Sequence, residues 1–529
     1  MKALAKQAVA LFVWAVAAHG ATADVDGSIF LAINTTNGPI TGHWATSCRD
    51  VVEYLGIPYA KPPVGNLRFA APQRYVGNKL EPYEAAKFGN DCPLSPSPPV
   101  NYPGFTSQAP RILDYFASSA GTPQGEDCLT LNIWSKPTPR SRHGGKPVVV
   151  FFYGGRFSIG NTNSPFYNGK HFAAAQDAIM VTINYRLNIF GFPGAPGGMQ
   201  NLGLRDQRSA VEWIRDNIRS FGGDPKKITI AGQSSGGVAV DYWTYAYQSD
   251  PIVNGIIAPS GNAFSFPVIT KNASHKNWET VVDAVGCRSS SSADVMACMR
   301  KADWQDIKKA AAAVKPGIST SVLRSVPPFY PTPDDKIVFH DYLERTTQGR
   351  FARVPLFGGN NHNEAGYYRI PAYARGVIPT DQQVAQFHLE SFTCPVTFQA
   401  TSRREKHVPS WAWRYVGDWN NTRLYPTSGA YHGSDLHMIF GASAEVSGLP
   451  TVEDQRKLTE VMQKAWFEFS NDPVHGLRDR MGWPEFNPAT ESLVVLGKDN
   501  SPSPVLEKPS VYDAPCSTIT LGALGTASA

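Results

Sequence analysis

A series of unbroken apolar runs, spaced by helical stretches, constrains this chain more than any other feature. Lys146-Pro-Val-Val-Val-Phe-Phe-Tyr153 and Ala178-Ile-Met-Val-Thr-Ile-Asn-Tyr185 do not alternate polar and apolar residues. A strand facing water on one side alternates, whereas a strand covered on both faces does not. Between such runs, Ala210, Val211, Ile214, Ile218 and Phe221 recur at helical spacing over 206–221, before Gly222-Gly223. Lys227-Ile-Thr-Ile-Ala231, Gly255-Ile-Ile-Ala258, Arg353-Val-Pro-Leu-Phe357 and Trp411-Ala-Trp-Arg-Tyr-Val416 extend the set of strands. Ser235 to Tyr247 reads as a helix, and Leu458, Val461, Met462, Ala465, Trp466 and Phe469 form a helical stripe. Strands alternating with helices predict an α/β fold with a mostly parallel sheet covered on both faces. Residues 27–60 instead show short runs with turn signals, as expected of antiparallel edge strands. Residues 91–125, rich in Pro, Ser and Gly, read as a long loop without a core element.

Within this pattern one segment carries chemistry. Ile228-Thr-Ile-Ala-Gly232-Gln233-Ser234-Ser235-Gly236 places Gly-x-Ser-x-Gly between a buried strand and a helix. A sharp strand-to-helix turn lifts a serine out of the sheet and needs glycines where side chains would clash. The helix N-terminus that follows offers free N–H groups to a developing negative charge. A serine nucleophile needs a base, and the base an orienting acid. Composition selects neither. His275, His340, His362, His388, His407, His432, His437 and His475 all lie downstream, with many carboxylates. Position favours Glu364, after a buried strand and Gly358-Gly359, and His432, in a turn after another strand. Loops at the carboxyl ends of strands are where open sheets carry their sites.

Several further motifs resemble the type-B carboxylesterase/lipase family, which includes the cholinesterases, over almost the whole chain. They are Glu53-Tyr-Leu-Gly-Ile-Pro-Tyr-Ala60 with Arg68-Phe69, Glu126-Asp-Cys-Leu-Thr-Leu-Asn132, Asn184-Tyr-Arg186, Asn201-Leu-Gly-Leu-Arg-Asp-Gln207 and Phe221-Gly-Gly-Asp-Pro225. The resemblance implies an α/β-hydrolase fold with large cap or lid insertions. It implies Ser234 as nucleophile, Glu364 as acid and His432 as base, and Gly155, Arg156 and Ser235 as oxyanion donors. It also implies disulfides Cys92–Cys128 and Cys287–Cys298, and buried ion pairs Arg68–Glu126 and Arg186–Asp206. Three departures stand out. Tyr153-Gly-Gly-Arg156-Phe157 has arginine where the family usually has a third glycine. Gln233 and Ser235 flank the nucleophile in place of the commoner Glu and Ala, and Ala365 precedes Gly366 where Gly often follows the acid at once. Arg156 is expected to keep ordinary backbone angles and to aim its charge at a carboxylate, solvent or the substrate.

The N-terminus reads as a secretory signal. Lys2 and Lys6 precede a short apolar stretch from Ala8 to Ala18, and Ala21-Thr-Ala23 fits a cleavage site. Residues 1–23 are thus expected to be removed, leaving one domain over 24–529. No run reaches the roughly 18 apolar residues of a membrane span. Secretion makes the seven cysteines candidates for disulfides, with at least one left over. Asn34, Asn272 and Asn420 head N-glycosylation sequons. A net charge of +5 over 529 residues, with no basic block, argues against nucleic acid. No zinc-type spacing of Cys and His occurs, so neither metal nor cofactor is expected. The expected partner is a small-molecule or lipid ester. The reading is a secreted carboxylic-ester hydrolase using a Ser-His-Glu triad. An acyltransferase tailoring secondary metabolites with the same triad, and a non-catalytic cholinesterase-like binding protein, are the alternatives. The stretch between Cys92 and Cys128 is expected to roof the site entrance.

Overall fold

A computed structural model describes residues 31–96, 100–118, 121–137, 144–317 and 321–519. The signal segment 1–23 lies outside them. The core is an eleven-stranded sheet. In chain order its strands are β1 (His43–Ala45), β2 (Cys48–Pro58), β3 (Thr130–Ser135), β4 (Lys146–Phe152), β5 (Ile179–Ile183), β6 (Gly223–Gly232), β7 (Gly255–Pro259), β8 (Leu356–Asn361), β9 (Ser410–Tyr415), β10 (Leu493–Leu496) and β11 (Val505–Glu507). Their order across the sheet is β11-β10-β9-β8-β7-β6-β4-β5-β3-β2-β1. The strands from β5 to β10 pair in parallel, and antiparallel pairs close both edges. Every residue of β4 and β5 is buried, which explains the unbroken apolar runs. A separate small sheet pairs Ala32–Thr35 with Gly38–Thr41 through the Thr36-Asn37 turn.

Five helices matter for the site: α1 (Ala109–Phe116), α2 (Leu202–Asn217), α3 (Ser235–Ala246), α4 (Ala365–Ala374) and α5 (Glu453–Asn471). Helix α1 corrects the reading of 91–125 as loop throughout. Its Ala109 and Ile112 are fully buried. Pro110 in its first turn, where a missing N–H costs nothing, starts a helix in a Pro-rich stretch. The strand expected over 353–357 begins later, at Leu356, because Pro355 has no N–H for the ladder.

Both ion pairs implied by the resemblance form and are buried. Arg68 binds Glu126 through two 2.6 Å bonds, and Arg186 binds Asp206 through two 2.7 Å bonds. The second ties the chain after β5 to helix α2. Loss of one partner would strand a buried charge, at a cost of about 3–5 kcal/mol. Disulfides link Cys92–Cys128, Cys287–Cys298 and Cys394–Cys516, which leaves Cys48 free. Asn34, Asn272 and Asn420 are exposed. Among the described residues no helix is long and apolar enough to cross a membrane, and no cluster of His, Cys, Asp or Glu would hold a metal ion.

Candidate active site

The order of strands reverses beside β4: β5 lies on one side of it and β6 on the other. Loops leaving the carboxyl ends of β4 and β6 therefore diverge and open a crevice. The register pairs Phe152 with Gly232, so Tyr153-Gly154-Gly155-Arg156 runs alongside Gln233-Ser234. Ser234 sits at φ 59 and ψ −123, directly before α3. Its neighbours have no room for side chains. A Cβ on Gly236 would lie 2.0 Å from the Phe152 carbonyl oxygen, and one on Gly232 would lie 2.4 Å from the Gly236 backbone. Close approach is thus the reason for both glycines of Gly-x-Ser-x-Gly.

Glu364 ends the turn after β8 and His432 comes from the loop after β9. His432 Nδ1 lies 2.5 Å from Glu364 Oε2. The other oxygen, Oε1, accepts from Ser260 Oγ and from the Asn361 backbone N–H, both at 2.7 Å. A carboxylate so held accepts the Nδ1 proton and leaves the Nε2 lone pair as an acceptor. Gln233 Nε2 approaches that Nε2 at 3.1 Å and the Tyr368 hydroxyl at 3.2 Å. Tyr368 and Ser234 line the same cleft. Burial raises the Tyr368 phenol well above its usual range, so it stays protonated and able to donate.

The backbone N–H groups of Gly155, Arg156 and Ser235 have no acceptor among the described residues. Tyr185 fixes the loop that carries the first two, donating its hydroxyl to the Tyr153 carbonyl at 2.6 Å and stacking on the Tyr153 ring at 4.5 Å. Ser234, His432, Gly155 and Arg156 line one cleft with Phe116, Tyr367 and Tyr368. An esterase crevice of this layout is what the sequence resemblance anticipates, and comparison with known proteins decides the family. The carboxylesterase family model matches residues 30–389. The chain belongs to the carboxylesterase family.

It is similar to secreted lipase 5 of Gibberella zeae, 32% identical over 91% of this chain and 93% of that protein. It is also similar to the chlorogenic acid esterase of Aspergillus niger, 33% identical over 92% and 93%. The fold matches a solved PNB esterase with a TM-score of 0.73 at 24% identity, covering 92% of this chain and 99% of that one. The protein is a carboxylic-ester hydrolase.

In this carboxylesterase the other histidines stand elsewhere. His437 is buried against Phe166 and Tyr431, and burial pushes it down to about 3. His388 is lowered by burial and then by the Arg414 charge. His340 and His407 are exposed. Arg156 corrects an expectation. Its φ is +56, followed by Phe157 at +54, both in the left-handed region. Holding the loop around two free N–H groups outweighs the penalty for Cβ there, about 1–2 kcal/mol per residue. Gly366 follows Ala365 because a Cβ at 366 would lie 2.4 Å from the Ser428 carbonyl oxygen. Sequence reasoning missed Tyr368, Ser260, Asn361 and the Gln233 side chain. Only Gln233 had a signal: an amide can donate to Nε2 where the family's carboxylate cannot.

Proposed function

We propose that this carboxylesterase is a secreted, single-domain serine enzyme that hydrolyses esters through a covalent acyl-enzyme on Ser234. The 2.5 Å contact between Glu364 and His432, ending beside Ser234, carries this reading. His432 Nε2 takes the Ser234 proton as Oγ attacks the ester carbonyl. Glu364 fixes the tautomer and stabilises the imidazolium. The N–H groups of Gly155, Arg156 and Ser235 hold the oxyanion. His432 then returns the proton to the leaving alkoxide. A water, deprotonated by the same nitrogen, attacks the acyl carbon and frees the acid and Ser234.

Secretion is supported by three disulfides, by exposed asparagines at all three sequons and by similarity to a protein named as a secreted lipase. We read Asn34, Asn272 and Asn420 as glycan sites. The loop closed by Cys92–Cys128 acts as part of the site's roof. Its α1 helix places Phe116 on Gly433 and within 6.5 Å of the His432 ring. The test is a hydrolysis screen over acyl chain length, with covalent labelling by an organophosphonate. Wild type is expected to turn over esters and to be labelled at Ser234, and Ser234→Ala to do neither. Normal turnover by Ser234→Ala would refute the reading. Replacing residues 95–120 by a short Gly-Ser linker should change chain-length preference. An unchanged profile with lowered stability would make the loop structural only.

A further inference from the structure

The side chain of Arg156 has a position that the proposed mechanism does not use, since only its backbone N–H serves the oxyanion. Arg156 lines the cleft that holds Ser234 and His432, and also an adjoining pocket beyond Tyr368. Arg375 lines the first of these and Arg324 the second. These residues come from three distant parts of the chain. Neither lining contains a carboxylate, although the chain has 44 acidic residues. Among the described residues the Arg156 guanidinium has no hydrogen-bond acceptor, and neither Arg156 nor Arg375 has an ion-pair partner. Arg375 donates only to the Val322 carbonyl. Arg324, 7% exposed, reaches Ser391 and stands 3.9 Å from Glu390, while its Nε is buried without a partner. Arg156 is the one arginine that lines both cavities, and its charge acts on Tyr367, Tyr368 and Arg375 in the first and on Tyr330 in the second.

Holding Arg156 and Arg375 on one cleft without a counter-charge is unfavourable, the more so where walls exclude water. A guanidinium keeps its charge at any working pH, so the repulsion is not relieved by losing a proton. A bound anion would relieve it, and a planar carboxylate fits the guanidinium fork. We propose that the ester cleaved here carries a free carboxylate, and that Arg156, supported by Arg375 and Arg324, binds it. This rests on the serine-esterase reading of the same cleft. The carboxylate belongs to either the acyl or the alcohol part of the ester.

The test compares charged and neutral esters of matched size. Mono-4-nitrophenyl glutarate against 4-nitrophenyl hexanoate probes the acyl side. Chlorogenic acid against its methyl ester probes the alcohol side. Wild type is expected to favour the anionic member of one pair in kcat/KM. Arg156→Gln should lower that anionic-to-neutral ratio about tenfold to hundredfold, mainly through KM, and Arg156→Lys should recover part of it. Arg375→Gln should lower it less. Equal or poorer use of the anionic member in both pairs would overturn the proposal. So would an Arg156→Gln variant that slows both members by one factor. Calorimetry on Ser234→Ala reads the cation site without turnover: tighter binding of the anionic ester is expected, and equal binding overturns it. Persistent turnover in Ser234→Ala would instead strike the serine reading, with the binding comparison still deciding the anion site.

Discussion

The two loops that meet at the Ser234 cleft solve one geometric problem in different ways. The turn after β6 lifts Ser234 into the left-handed region between two glycines that touch neighbouring backbone. The loop after β4 carries Arg156 and Phe157 through the same region with full side chains. The first loop is crowded, so its sequence is dictated almost residue by residue. The second is crowded at Gly154 and Gly155, where a Cβ would meet Gln233 at 2.7 Å and Ile159 at 2.4 Å, but open at the next position. An open position tolerates a costly residue, and the side chain it admits enters the cleft. On the reading proposed above, one loop is shaped for ester hydrolysis and the other has latitude to select the substrate.

Four experiments probe this contrast. The largest effect belongs to the crowded side. Ser234→Ala or His432→Ala should lower kcat about 10⁴- to 10⁶-fold with folding intact, and the double mutant should lose little more. Steady-state rates with circular dichroism check this. Near-normal turnover in either single variant would break the assignment. Next is Gly236→Ala, whose Cβ would lie 2.0 Å from a backbone oxygen that cannot step aside. Overpacking there should cost about 1–3 kcal/mol or more, read from denaturant midpoints. A neutral substitution would show that the turn is looser than its geometry implies.

Smaller and opposite in sign is Arg156→Gly, which removes the left-handed penalty and the local charge repulsion. Stability should rise by about 1 kcal/mol, measured by the same midpoints. If it falls, the Arg156 side chain supports the loop and the contrast fails. The last experiment reads a pH dependence behind both loops, at Asp435. Burial raises its carboxyl to about 6, opposed by a 3.0 Å bond from Asn361, and its Oδ2 has no partner. A raised acid binds its proton more tightly when folded. Its contribution to stability is thus full below about pH 4 and fades as pH rises through about 6. Tm for Asp435→Asn minus that for wild type should therefore grow between about pH 4 and about pH 7. A flat difference would mean that Asp435 titrates normally.

Periodicity and turn chemistry determine much of this protein. The runs ending at Tyr153, Tyr185 and Ala231 announced buried parallel strands, because a strand covered on both faces has no water-facing side to impose polar alternation. Gly232 and Gly236 announced the turn at Ser234, because backbone contact excludes every other residue there. Position after a strand favoured Glu364 and His432, and the family resemblance singled them out; the structure brings His432 to the Ser234 cleft and Glu364 behind it. Helix α1 stayed hidden because Pro, Ser and Gly mask a single buried stripe.

What only the tertiary structure decided are contacts between residues far apart in the chain. The approach of Gln233 and Tyr368 to His432 Nε2, the grip of Ser260 on Glu364, the Cys394–Cys516 bridge and the placing of Arg156, Arg324 and Arg375 around two adjoining cavities leave no local pattern. A sequence records the periodicity that burial imposes on each element. It does not record which side chains from different elements come within hydrogen-bond or Coulomb range, because that depends on how the loops at the sheet edge are folded over one another.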